Sequence, residues 1–374
     1  MTQQNGAARP RWVLVAAAVA AVVLVAVAAL VISRLNRDDE RTRATGAVAA
    51  TDTPSPSPSA TPSPTAAPGA GITGPLNLLL VGVDTRISVP GWEPHGDAVL
   101  IAHVPAGLDR AYLFSLPRDL LVDIPAFPKS GYQGGRTKLT HAMSYGSRVP
   151  GKPKNPSAAQ GYELLRSTVT GYTGLRFDAG AVINFQGFDK LVNLLGGVDI
   201  YVDEKVTSIH RKPDGKHRDA APSGGGYVGP QMVYQVGERH LNGWQALDYA
   251  RQRYIAGGDY ARQRHQQQLI KAMTTKILAE DLARQPARVE QITGALGDTL
   301  VYAGGPRIVD LAYALGGLDP ARFTLVALPG DGVGTGNAYR GEQLKPLGRQ
   351  FLTALKAGDE EQFLAAHPEL RVTR

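Results

Sequence analysis

Leu76-Asn-Leu-Leu-Leu-Val-Gly-Val83, followed at once by Asp84-Thr85-Arg86, sets the fold class of this 374-residue chain. A near-continuous apolar run of this length offers no polar face to water. It reads as a strand buried on both sides, and such strands belong to sheets sandwiched between helices. The polar triplet at its end matters equally, because ligands of α/β proteins gather outside strand ends. Working outward, 98–104 and 111–116 read as two more strands, the second ending in Pro117-Arg118-Asp119. Lys138-Leu-Thr-His-Ala-Met143 begins a helix and 158–170 forms another. Residues 179–185 read as a strand, 188–195 as a short helix stopped by Gly196-Gly197, and 198–202 as extended chain. Farther on, 243–249 is helical, 259–279 is the longest helix, 308–315 is helical and 323–328 is a strand. A closing helix spans 347–355, with Pro346 suited to its first turn. The polar, glycine-rich stretch 210–229 reads as a mobile surface loop. This alternation predicts an α/β fold with a central mixed sheet flanked by helices.

The first fifth of the chain has a different character. Residues 12–32 are uninterruptedly apolar, and about 21 residues at roughly 1.5 Å each span a bilayer core. Ala26-Val27-Ala28 resembles a signal-peptide cleavage site, but the apolar run is longer than a signal peptide needs, so it reads as a retained anchor. From Thr51 to Pro68, proline alternates with Ser, Thr and Ala, a composition that buries no core and favours extended polyproline geometry. It reads as a stalk of the kind commonest outside the cytoplasm. The expected organisation is a tail (1–11), a transmembrane helix (12–32), a linker (33–74) and one folded domain (75–374). Arg9 and Arg11 precede the apolar run while Arg34, Arg37, Arg41 and Arg43 follow it, so a bare count of positive charges favours a cytoplasmic domain and the stalk favours the opposite.

A net charge of +7 invites a nucleic-acid reading, yet zinc-finger spacing, an aromatic ribonucleoprotein motif and a helix-turn-helix are all missing. Anionic headgroups or phosphorylated polymers suit a tethered basic domain better. Other familiar chemistry drops out as well. Gly330, Gly332, Gly334 and Gly336 alternate too strictly for a dinucleotide or Walker loop and read as a flexible loop. No His-x-His or His-Glu-x-x-His pair suggests zinc, there is no Gly-x-Ser-x-Gly elbow, and the chain has no cysteine.

What remains is concentrated positive charge. In Ala250-Arg251-Gln252-Arg253, two arginines two apart share a face only on extended chain, so Arg251 and Arg253 read as strand-like. After Gly257-Gly258, Asp259 reads as the N-cap of the long helix, which would set Arg262 and Gln266 on one face near its positive end. Together these form a candidate phosphate cradle. Asp84, Arg86, Asp97, Arg118 and Asp119 complete the set, and carboxylates with arginines in one pocket point to a metal ion plus phosphate. Taken singly, each has a structural alternative: Asp84 as a turn cap, Arg118 as a surface ion pair, the arginine cluster as a solvated helix end.

The ordered set Gly82-Val-Asp84-Thr-Arg86, His95-Gly-Asp97-Ala98, Pro117-Arg118-Asp119, Lys138-Leu-Thr140-His-Ala142, Gly196-Gly-Val-Asp199, Arg251-Gln-Arg253 and Arg262-Gln-Arg-His265-Gln266-Gln267 resembles the LytR-CpsA-Psr family, most strongly over residues 75–280. His95, Thr140 and His265 depart from it, standing where the family commonly has Arg, Asn and Arg. The resemblance implies a membrane-tethered, single-pass protein with an extracytoplasmic domain and residues 1–11 inside. Its implied activity is a phosphotransferase that moves a glycopolymer with its phosphate from a polyprenyl-diphosphate carrier to a peptidoglycan hydroxyl. By the same resemblance, Asp84 and Asp97 would hold Mg²⁺, with Mn²⁺ as an alternative ion. Arg86, Arg118, Arg251, Arg253, Arg262 and Gln266 would bind the diphosphate, and Arg118, Arg253 and Asp119 would be the catalytic residues. Asp119 and Asp259 are the nearest candidates for a base. An apolar tunnel for the prenyl chain is expected from Phe185, Phe188, Leu191, Val192 and Leu195, whose helical spacing equally suits core packing. Two other classes stay open: a lipid-diphosphate hydrolase using the same site, and a noncatalytic envelope-polymer receptor or regulator.

Overall fold

The computed structural model describes residues 69–84, 91–222, 226–281 and 285–372. The apolar run 12–32, the stalk and Arg86 lie outside them. Among the described residues no helix is long and apolar enough to cross a membrane. A six-stranded sheet forms the middle layer, from β1 (Leu76–Asp84), β2 (His95–Val104), β3 (Ala111–Leu116), β4 (Ala179–Asn184), β5 (Leu300–Gly304) and β6 (Phe323–Val326). The spatial order is β5-β4-β1-β2-β3-β6. β1 runs parallel to β4 and β3 to β6, while the other neighbours are antiparallel, so the sheet is mixed as expected. The expected strands form because β1 and β3 are sandwiched: Leu76, Leu78 and Leu80 enter one core while Leu79, Val81 and Val83 enter the other.

Helices cover both faces. On one lie α1 (Thr140–Ser147), α2 (Ala158–Thr173), α8 (Pro346–Ala357) and α9 (Glu360–Ala366), through Met143, Leu165, Phe351 and Leu364. On the other lie α3 (Phe185–Leu194), α4 (Gly243–Arg251), α5 (Gly258–Ala279), α6 (Pro286–Leu296) and α7 (Ile308–Leu315), through Val192, Tyr249, Met273, Ile292 and Leu311. Asn184 caps α3 by accepting from Gly187 N at 2.8 Å, which starts that helix three residues before the sequence pattern shows it. The expected closing helix is α8, but α9 follows it.

Two loop expectations are corrected. In 210–229, Asp219–Ala220 pairs with Tyr227–Val228. Arg218 donates there to the carbonyls of Ile209, Tyr227 and Gly229, so a buried guanidinium root and a ladder hold the segment together. In the alternating-glycine segment, Gly330–Val333 pairs with Gly341–Leu344 as a hairpin rather than a loose loop. At the front of the folded region, Ile72 already packs against the core.

Candidate active site

The site is built at the end of β1 and the start of β2. Gly82 pairs with Ala98 but Val83 pairs with Gly96, so Asp97 is the extra residue of a β-bulge. A bulge bends its strand and re-aims the unpaired side chain. Here it brings Asp97 into one pocket of about 370 Å³ with Asp84, Trp92, His95, Arg118, Asp119, Lys138, Thr140 and His141. The Trp92 indole donates to the Asp84 carbonyl at 3.2 Å. Arg118, just past β3, donates to Asp97 Oδ1 at 2.7 Å and stands 3.8 Å from Asp119. Burial lowers the Arg118 pKa, but the bond and charge of Asp97, with the charges of Asp119 and Asp259, raise it above the ordinary arginine value. Lys138 pairs with the other side of Asp119 at 3.2 Å. His141 is held below the usual histidine range by burial, then by the charges of His95 and Lys138.

Beside this polar pocket runs an apolar cleft of about 90 Å³ between the sheet and α3, α4 and α5, lined by Leu80, Leu100, Ile183, Phe185, Phe188, Leu191, Leu269 and Met273. Gly82 lies on its wall, where an added Cβ would come within 3.1 Å of the Ala98 Cβ. Arg251 and Gln266 are its polar lining residues on α4 and α5. The Arg251 guanidinium lies 4.2 Å from the Phe185 ring centroid. Burial lowers its pKa against the pull of Asp84, Asp248 and Asp97. Arg251 therefore has an apolar ring on one side and the carboxylates of the polar pocket within electrostatic reach. Of the expected tunnel residues, Phe185, Phe188 and Leu191 line this cleft. Val192 and Leu195 do not, and are buried in the core.

The local backbone differs from the sequence reading in two places. Arg251 is not strand-like: it is the last residue of α4, which begins at a capping box of Asn242 and Gln245 and carries buried Ala246, Tyr249 and Ala250 in helical register. Gln252 then turns extended. Its amide is fixed by Asp248, which also accepts from Ser208 Oγ and the Tyr234 hydroxyl at 2.9 Å each. Arg253 is exposed, stacks over Tyr254, and lines neither pocket. The N-cap of α5 is Gly257, whose φ of 84° frees the turn, and Asp259 sits in the first turn instead. There it pairs with Arg262 at 2.8 Å.

Arg262 is only 6% exposed and its Nε has no hydrogen-bond partner. Burial lowers its pKa, against Asp259 and with the repulsion of Arg118. The structure thus gathers Asp84, Asp97, Arg118 and Asp119 around one space, sets the Asp259–Arg262 pair within electrostatic reach of Arg118 and Asp97, places Arg251 and Gln266 at the neighbouring cleft, and leaves Arg253 lining neither.

Glu342 was missed by sequence reasoning. Its backbone N–H bonds the Asp119 carbonyl at 2.8 Å, and its carboxylate accepts from the Tyr260 hydroxyl at 2.6 Å. Burial raises its pKa, opposed by the Tyr260 bond and assisted by the charges of Asp259 and Asp119. A lone Glu in a hairpin carries no local signal, so only long-range pairing reveals it.

The chain is 28% identical over 227 residues to the polyisoprenyl-teichoic acid–peptidoglycan teichoic acid transferase TagU of Enterococcus faecalis, covering 60% of each. It is 29% identical over 212 residues to biofilm regulatory protein A of Streptococcus mutans, covering 55% of this chain and 45% of that one. The match therefore spans less than two thirds of either relative. Among solved structures, protein gbs0355 of Streptococcus agalactiae superposes with a TM-score of 0.58 at 22% identity, over 77% of this chain and 87% of that one, which shows a shared fold. The bulge, the Arg118 pair and the α4–α5 arginines all fall within residues 41–345, which match the LytR_cpsA_psr family. The chain belongs to that family.

Proposed function

We propose that this protein transfers a phosphorylated glycopolymer from a polyprenyl-diphosphate carrier to a hydroxyl of peptidoglycan, acting as a membrane-tethered domain outside the cytoplasm. The observation that carries this reading is Arg251, which stacks on Phe185 in the apolar cleft while facing Asp84 and Asp97. A diphosphate with an apolar tail on one side and a glycan on the other fits that junction, the tail along Phe185, Phe188 and Leu191. TagU of E. faecalis is named for teichoic acid transfer to peptidoglycan, which supports the substrate class.

The donor set suits Mg²⁺. Asp84 and Asp97 supply hard carboxylate oxygens, and Mg²⁺ completes its shell with water and phosphate oxygens. Mn²⁺ would fit the same ligands. When bound, the ion supplies electrostatic stabilisation of the phosphate under attack. Arg118, fixed by Asp97, and the under-partnered Arg262 grip nonbridging oxygens, whose charge must be stabilised as the transfer proceeds. The acceptor hydroxyl oxygen forms a new bond to the glycan-side phosphorus as the bridging P–O bond breaks, and polyprenyl monophosphate departs with the electron pair. Asp119 and Asp259 are held in ion pairs with Arg118, Lys138 and Arg262. Glu342, whose carboxylate accepts from Tyr260 and whose backbone adjoins Asp119, is a further candidate to hold the hydroxyl proton.

Purified full-length chain, incubated with polyprenyl-diphosphate glycan, peptidoglycan and Mg²⁺, should yield wall-linked glycan and polyprenyl monophosphate in equal amounts. Glycan phosphate released to water would mark a hydrolase. Binding without turnover would mark a receptor or regulator.

A further inference from the structure

Asp203, Glu204 and His265 form a second cluster, built from residues that the transfer reaction does not use. Asp203 and Glu204 follow the strand Val198–Val202, and His265 faces them from α5. One ligand atom from each lies within 4.8 Å of the other two. His265 is fully buried, and neither ring nitrogen has a hydrogen-bond partner. Its Nε2 points at Asp203 Oδ1 from 3.6 Å, and that oxygen is also buried without a hydrogen bond. Such a pair is costly when left as it is, because each polar atom has given up water without a hydrogen bond in return.

We propose that Asp203, Glu204 and His265 bind a divalent transition-metal cation of the Zn²⁺ class, independently of the Asp84–Asp97 pair. The 3.6 Å separation is too long for a hydrogen bond. It matches two ligands on one ion, since bonds of about 2.0–2.2 Å opening at roughly 110–120° put their ends about 3.4–3.7 Å apart. The mixed imidazole and carboxylate set favours Zn²⁺ over Mg²⁺.

Charge allows it. Arg264 donates to Asp203 Oδ2 and Glu204 Oε1 at 2.9 Å each, and does not occupy Asp203 Oδ1. Two carboxylates against one guanidinium leave a formal deficit for the cation to fill. Tyr249 stacks on His265 with centroids 4.2 Å apart, which fixes the ring as a ligand. A bound ion would clamp the chain after Val202 to α5, three residues from Arg262.

The test uses full-length chain purified in detergent and stripped with EDTA, titrated with Zn²⁺ by calorimetry and with Co²⁺ by visible absorption. One equivalent should bind at micromolar concentration or below, and a thousandfold excess of Mg²⁺ should not displace it. Glu204→Gln should weaken Zn²⁺ at least tenfold, His265→Gln should abolish stoichiometric binding, and Asp97→Asn should leave it unchanged. If His265→Gln does not fold, the half-exposed Glu204→Gln decides alone. Absence of stoichiometric Zn²⁺ binding to the folded wild type would overturn the site. So would wild-type affinity in Glu204→Gln, or loss of binding in Asp97→Asn.

Discussion

Arg262 and Arg264 stand two residues apart on one helix and have opposite surroundings. Arg264 is doubly paired: two carboxylates take its Nε and Nη2 at 2.9 Å, and its side chain keeps 31% of its exposure. Arg262 is buried, has one carboxylate, and leaves Nε unpaired beside a second guanidinium, Arg118. A folded chain gains nothing from burying a cation with donors to spare and a like charge nearby. An arginine held in that state is poised for an anion that arrives later. One clasped by two carboxylates at the surface is holding the fold together. The difference lies in the count of carboxylate partners rather than in residue type, and on the proposed function it would separate binding residues from structural ones within a single turn.

The largest effect should come from Arg262→Ala. Hydrogen bonds to charged groups are worth roughly 1.5–3 kcal/mol each, so transfer should fall about a hundredfold or more. Thermal stability should change little, because the fold loses one ion pair and sheds a buried charge. Steady-state transfer and thermal melts on the same preparation check both halves. A badly destabilised variant with proportionate activity loss would make Arg262 structural and erase its contrast with Arg264.

Asp97→Asn should come next. Asp97 owes its place in the pocket to the bulge and carries Arg118 at 2.7 Å. The substitution should cost transfer about tenfold or more and raise the Mg²⁺ concentration needed for half-maximal rate. Unchanged metal response with a large loss of stability would limit Asp97 to anchoring Arg118.

Arg251 and Arg253 extend the same contrast to α4. Arg251 is half-buried against Phe185, whereas Arg253 is exposed over Tyr254 and its catalytic assignment rests on family resemblance. Lysine keeps the charge and loses the planar fork and the stacking. Arg251→Lys should lower transfer about tenfold, and Arg253→Lys by less than about threefold. The reverse order in a purified assay would mean that substrate binding redraws this segment and brings Arg253 inward.

The sandwiched strands were legible because burial on both faces leaves an unbroken apolar run, as in Leu76–Asp84 and Ala111–Leu116. Helix α7 was read to the residue for a similar reason, its apolar spacing being undiluted. Pairing is what sequence hides. Nothing in residues 300–304 announces an edge strand beside β4, and nothing in 341–344 says that Glu342 will reach Asp119, because a ladder joins segments with no local mark of each other. The Asp97 bulge was equally invisible, although Asp97 itself was picked out by its motif. At Arg251 the spacing argument failed for a specific reason. Shared facing is the premise that calls for extended chain, but the capping box at Asn242 and the buried Tyr249 and Ala250 carry helix two residues farther. The identities of the polar residues were thus readable, and their directions were not.

The smallest expected effect belongs to Arg264→Lys. Lysine retains the charge opposite Asp203 and Glu204 but cannot reach both with a rigid fork. These pairs are partly exposed, and such bridges are worth about 0–1 kcal/mol each, so the loss should stay near 1 kcal/mol. For a domain of this size that is a melting-temperature drop of about 1–2 °C. Measured in EDTA, the melt should show this shift while transfer stays within about twofold of wild type. A transfer defect as deep as that of Arg262→Ala, without a matching stability loss, would show that Arg264 also serves the anion. Pairing to two carboxylates would then no longer mark an arginine as structural on this helix.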